Sequence, residues 1–140
     1  RAQRKAWMKQ CTGLPMILKG IATGEDARMA VEHGVECVYV SNHGGRSLDY
    51  GPSTLEVLPE IVDAVGGKVP VLFDSGLRRG ADVLKALALG ANAVCLGRVP
   101  LWGLGSFGVT GVTRVFHQGS TEHWSISYGN PEPSYVDMGA

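Results

Sequence analysis

Between residues 14 and 97 a short apolar run, a loop and a helix-patterned segment follow one another again and again. The apolar runs are "LPMILKG" (14–20), "ECVYVS" (36–41), "VPVLFD" (69–74) and "ANAVCLG" (91–97). Continuous runs of this length suit strands buried on both faces, as in a parallel sheet. The segments between them have helical spacing. "GEDARMAVEHG" (24–34) sets Ala27, Ala30 and Val31 on one face, with Thr23 as N-cap, acids in the first turn and Gly34 as the stop. "STLEVLPEIVDAV" (53–65) repeats Leu55, Leu58, Ile61, Val62 and Val65. Pro59 interrupts it, so the helix is expected to begin or bend there. "ADVLKALALG" (81–90) is the third such segment, with Leu84, Leu87 and Ala88 as its core. Strands alternating with helices, joined by crossovers long enough for parallel pairing, predict an α/β fold. An open doubly wound sheet and half of a (β/α)8 barrel both satisfy this pattern.

The polar residues bear on that choice. Lys19, Ser41, His43, Asp74, Gly97 and Arg98 all fall at the carboxyl ends of the strand runs. A barrel collects its functional groups on that face and holds phosphate with the loops after its last strands.

Charge and cysteine content exclude several functions. Thirteen basic residues balance thirteen acidic ones, so no global field favours nucleic acid or an anionic membrane. Arg1, Arg4, Lys5 and Lys9 read as the solvated face of a helix. No apolar run approaches the roughly 20 residues of a membrane helix, and no secretory pattern opens the chain. Cys11, Cys37 and Cys95 are far apart, odd in number and set in or beside apolar runs. They are expected to be buried thiols in a reducing compartment, with no metal site. A cytoplasmic protein is the expectation, and a peroxisomal address would have to lie outside this segment. The chain divides into a packed part, 1–108, and a tail, 109–140, whose Ser, Gly and Pro content predicts irregular structure.

The stretch "VSNHGGRSLDY" (40–50) places chemistry at a strand end. Histidine ionises near neutral pH and can accept a proton from a hydroxyl, which makes His43 a candidate base. Arg46 offers a planar fork of donors suited to a carboxylate, and Gly44 and Gly45 let the backbone turn without obstructing a pocket. The alternative is that His43 caps a strand while Arg46 pairs with Asp49 at the surface. Lys19 at a strand end either meets negative charge or snorkels to solvent. In "DSGLRRG" (74–80) and Gly97-Arg98, small residues, a helix start and arginines make a candidate phosphate site. Arg79 is expected to face solvent or a neighbouring element. His33 suits a helix end, and His117 and His123 have no partner motif. Trp7 and Trp102 read as packing residues.

Taken together, "LPMILKGI", "VSNHGGRSLDY", "DSGLRRGADVLKALALGA" and "LGR", in this order and spacing, resemble the FMN-dependent α-hydroxy acid dehydrogenase/oxidase family from about Trp7 to Leu104. The resemblance implies a TIM (β/α)8-barrel, with this chain supplying strands five to eight. It implies FMN as cofactor and oxidation of a small 2-hydroxy acid to a 2-keto acid. His43 would be the base and Arg46 the carboxylate anchor. Lys19 would stand beside the flavin N1/C2=O edge, and Ser41 would hydrogen-bond the flavin. Asp74 would hold the ribityl hydroxyls, while Gly76, Arg78, Gly97 and Arg98 would take the phosphate. Ser75, in the same cofactor-binding turn, stands where the family usually has Gly. The family's first four strands carry further flavin and substrate contacts that have no counterpart in these residues. The isolated chain is therefore expected to bind FMN weakly and turn over little, unless two copies associate as a homo-oligomer to close a barrel. The alternative function is a non-catalytic half barrel that binds phosphate or a partner chain.

Overall fold

The computed structural model describes residues 2–121, and the side chains of residues 7–117. In chain order the elements are α1 (Ala2–Thr12), β1 (Ile17–Ile21), α2 (Gly24–Glu32), β2 (Cys37–Val40), α3 (Thr54–Val65), β3 (Val71–Phe73), α4 (Gly80–Ala88), β4 (Ala93–Val94) and α5 (Arg98–Thr121). A short 3-10 turn, His43–Gly45, follows β2.

The strands pair in parallel and in sequence order, β1-β2-β3-β4. A doubly wound sheet reverses its strand order at a switch point. No reversal occurs here, and α2 and α3 pack against each other over the same sheet. Crossovers that all fall on one face are the winding of a barrel wall.

Register gives the sheet two unlike faces. Val38 pairs with Val71, and Phe73 pairs with both Val40 and Val94, so these side chains share the helix-covered face. Val38, Val40 and Phe73 are buried there with Ala27, Ala30, Leu58, Ile61 and Val65. The opposite face carries Lys19, Tyr39, Leu72 and Ala93, aligned across the four strands. Tyr39 and Leu72 are half-buried and Ala93 is exposed. The expectation of burial on both faces thus fails at the edge. Within β1 only Ile21 is buried, and Ile17 and Leu18 are exposed. The described residues supply helices to one face and leave the outer edge of β1 unpaired.

Local signals set most boundaries. Thr23 Oγ1 accepts the Asp26 N–H at 3.2 Å, capping α2, whose C-cap is His33. Ser53 and Glu56 form a reciprocal capping box at the start of α3. That box starts the helix ahead of Pro59, and α3 runs on through the proline to a left-handed Gly66.

Several expectations need correction. Residues 109–121 are helical rather than irregular. Val112, Val115 and Phe116 recur at helical spacing, a signal outweighed by the polar composition further along. Residues 122–140, with His123, lie outside the described residues. Helix α5 is broken at Phe107 and Gly108, where φ becomes 61°. The two halves meet at paired glycines, since a Cβ on Gly103 would lie 2.7 Å from the Gly111 carbonyl oxygen. Cys37 is buried, but Cys11 is exposed and Cys95 only half-buried. Trp7 and Trp102 are exposed rather than packed. No helix among the described residues is long and apolar enough to cross a membrane.

Two leucines test where the core lies. Leu58 is fully buried and Leu18 is 40% exposed. Urea denaturation should show Leu58→Ala losing about 2–5 kcal/mol and Leu18→Ala less than about 1 kcal/mol. Equal losses would contradict a core that thins out at the β1 edge.

Candidate active site

The polar face of the sheet converges on Asp74. Lys19 in β1 faces Tyr39 in β2 by register, and Ser41 and Asp74 follow directly on the same face. The Lys19 Nζ lies 3.0 Å from Asp74 Oδ2 and donates to Ser41 Oγ at 2.7 Å. It also stands 4.8 Å over the Tyr39 ring. The Ser41 hydroxyl donates to Asp74 Oδ1, as does Ser75 Oγ at 2.7 Å. Burial pushes the Asp74 carboxyl upward, but hydrogen bonds from Ser41, Ser75, Lys19 and Tyr39 outweigh it and hold the group below its usual range. Tyr39 moves the other way. Its burial, and then its contacts with Cys95 and Asp74, keep the phenol protonated. Thr54, buried at the start of α3, donates to the Asp74 carbonyl at 2.8 Å and fixes the strand end from behind.

The turn bearing His43 is left-handed throughout, with φ of 57° at His43, 67° at Gly44 and 73° at Gly45. Its backbone is tied to both neighbouring strand ends. The His43 N–H donates to Ser41 Oγ at 3.1 Å, and the Gly44 N–H donates to Ser75 Oγ at 3.1 Å. Arg98 Nη2 donates to the Gly44 carbonyl at 3.0 Å. A Cβ on Gly44 would sit 2.7 Å from that nitrogen and would push the guanidinium tip aside, while the left-handed φ favours glycine independently.

Above this floor lies an open cleft of about 210 Å3. Lys19, His43, Arg46, Asp74, Ser75, Gly76, Arg78, Gly97 and Arg98 all line it, and Ser41 is buried just beneath. Sequence reasoning had named each of these as a candidate. Arg46 and Asp49 form no ion pair, which removes support for the surface-pair reading. Lys19 meets negative charge at Asp74 rather than snorkelling away. Arg79 is exposed, as expected. The Arg78 and Arg79 N–H groups are both taken by Asp82 Oδ2 at 3.0 Å. These two N–H groups are thus occupied, while the Arg78 side chain faces the cleft. No cluster of metal-ligating side chains occurs among the described residues.

Several lining residues were not anticipated. Trp102 flanks the cleft with the Arg78 guanidinium 5.4 Å over its ring, and Cys95, Leu77 and Val99 complete the wall. Trp102 stands four residues after Arg98 on one helix, a spacing that would have placed both on one face. Tyr39 precedes Ser41 by two residues in a strand, which sets both on the site face.

The fold and cleft together define a wall of the (β/α)-barrel class with an open cleft at its strand ends. A sequence profile of the FMN-dependent dehydrogenase family matches residues 2–124, and the chain belongs to that family. It is 57% identical over 109 residues to 2-hydroxyacid oxidase 1 of Mus musculus, covering 78% of this chain and 30% of that one. It is 56% identical over 109 residues to a peroxisomal (S)-2-hydroxyacid oxidase of Arabidopsis thaliana, with the same coverage. The crystal structure of mandelate oxidase with (S)-2-phenylpropionate superposes with a TM-score of 0.79 at 46% identity, over 85% of this chain and 36% of that chain. The chain thus spans about 30% of the length of the curated relatives it matches. The barrel kinship agrees with the winding of the sheet.

The depressed Asp74 carboxyl makes stability depend on pH in a fixed direction. A carboxyl lowered in the folded state contributes stability above its ordinary value of 3.8, and that contribution is lost as pH falls through the folded value. At pH 7, Asp74→Asn should cost about 1–3 kcal/mol. The gap between the two proteins should narrow below pH 4 or so. A gap that stays constant down to acid pH, measured by denaturant titration, would rule out the depressed carboxyl.

Proposed function

We propose that the protein is an FMN-dependent oxidoreductase that converts a small 2-hydroxy acid to its 2-keto acid, and that this chain forms the wall carrying its base and phosphate anchors. The observation behind this reading is the gathering of Lys19, His43, Arg46 and Arg98 around one cleft at the carboxyl ends of parallel strands. The donor set suits the cofactor. Arg78, Arg98 and the first turn of α5 present positive charge where a phosphate would lie. The one carboxylate in the cleft, Asp74, is already offset by Lys19. FMN, when bound, supplies the two-electron acceptor for the oxidation.

Oxidising a 2-hydroxy acid breaks its O–H and Cα–H bonds and forms a C=O bond. His43 accepts the hydroxyl proton, and Arg46 holds the substrate carboxylate through charge-assisted hydrogen bonds. Lys19, fixed by Asp74 and Ser41, keeps a cation at the floor of the cleft. Asp74 Oδ1 already accepts from Ser41 and Ser75, so a ribityl hydroxyl would be received at Oδ2, beside Lys19. Ligand pockets usually enclose about 300–1,000 Å3, more than this cleft does, in keeping with a site completed by further walls. β1 and β4 each pair on only one side among the described residues. Their open edges suit other strands of the barrel or a second copy of the chain. The peroxisomal name of the Arabidopsis relative favours a peroxisomal compartment over the cytoplasmic one expected from the sequence.

Non-redox phosphate binding is the rival reading, favoured by the arginines near α5. In a thermal-shift comparison FMN should raise the melting midpoint more than inorganic phosphate at equal concentration. Equal shifts would favour the rival. In flavin-loaded protein, His43→Ala should abolish bleaching of the flavin by 2-hydroxy acids while leaving FMN affinity within about three-fold. Arg46→Met should raise half-saturation by about ten-fold or more, as expected for loss of a charge-assisted contact. Bleaching that survives His43→Ala would overturn the assignment.

A further inference from the structure

Ser75 adopts φ of 81°, a left-handed conformation that L side chains rarely take and that is retained where surrounding structure enforces it. The site gains a hydroxyl bridge from it. Ser75 Oγ donates to Asp74 Oδ1 at 2.7 Å and accepts the Gly44 N–H at 3.1 Å. Gly44 directly follows His43 and has no side chain with which to anchor the turn. Asn42 Oδ1 caps the far side of the turn by accepting the Gly45 N–H at 3.2 Å, and the His43–Gly44 part depends on contacts with Ser41, Ser75 and Arg98. Two of those contacts, through Ser41 and Ser75, lead back to the same Asp74 oxygen.

We propose that Ser75 is a positioning residue, whose hydroxyl couples the Asp74 carboxylate to the His43 turn and sets the imidazole over the cleft. This rests on the reading of His43 as base, and it gives Ser75 a task other than contacting the cofactor. The donor of its hydroxyl is spent on Asp74, and one of its lone pairs is spent on Gly44. A glycine here would relax the backbone yet sever the bridge, so the two effects oppose each other in one substitution.

That opposition supplies the test. Ser75→Gly and Ser75→Ala are compared with the parent protein by amide hydrogen exchange, with the Val38 and Leu58 amides as controls for intact folding. Both variants should exchange the Gly44 amide about ten-fold faster, the scale of one net hydrogen bond. In flavin-loaded protein, both should slow flavin reduction by a 2-hydroxy acid by a similar factor, with FMN affinity within about three-fold. Gly44 exchange unchanged in Ser75→Gly would overturn the proposal, as would a defect confined to Ser75→Ala. Lost FMN affinity with normal exchange would make Ser75 a cofactor contact and would equally overturn it. If the protein neither binds nor reduces FMN with the rest of its barrel present, the functional reading fails. The exchange arm still decides whether the hydroxyl holds the turn.

Discussion

A single carboxylate ties three strand ends together. Asp74 receives Lys19 from β1, Tyr39 from β2, Ser41 just beyond β2 and Ser75 from its own loop. A partly buried carboxylate is costly unless its lone pairs are filled, and here four donors from three segments of the chain surround it. These donors can meet only because β1, β2 and β3 are adjacent, parallel and in register. Shifting β2 by one residue would turn Tyr39 and Ser41 into the helix-packed core and leave Asp74 half satisfied. The site and the strand pairing therefore specify one another.

The same register explains the division of labour between the two sheet faces. Val38, Val40, Val71 and Phe73 bind the helices and set the position of the strand ends. The intervening residues are free to carry charge, because the polar face is not asked to form the core. This arrangement places perturbed groups such as Asp74 and Tyr39 beside the cleft, where barrel folds concentrate their chemistry.

Much of this was legible in the sequence because strand ends are marked by a change from apolar to polar residues. Lys19, His43, Asp74 and Arg98 could be placed on one rim from the βα repeat alone. Ser53 and Thr23 likewise announced the helix starts. Pairing between those rim residues was not legible, since Lys19 and Asp74 are 55 positions apart and each also suits a cofactor contact. Exposure of Ile17 and Leu18 was hidden for a related reason. An apolar run reports what a strand is able to bury, whereas neighbours outside the described residues determine what it does bury. Trp102 was misread because tryptophan is usually a packing residue, and only the α5 geometry turns it towards Arg78. The helix over 109–121 was lost by averaging its periodic half with the polar residues after it.

Arg98 and Gly44 show how the two ends of the cleft are joined. The guanidinium reaches from the start of α5 to the carbonyl of the His43 turn, and a side chain on Gly44 would have to displace its tip. One Arg98 nitrogen is used in that bond, and the planar fork leaves its remaining N–H groups for an anion. An arginine held this way loses less rotamer freedom on binding phosphate than a freely solvated one, because ordering it has already been offset by the Gly44 contact. The turn gains in return, since its carbonyl, projecting from three successive left-handed residues, acquires a charged donor. On the proposed function, phosphate anchoring and base placement would both draw on this one side chain.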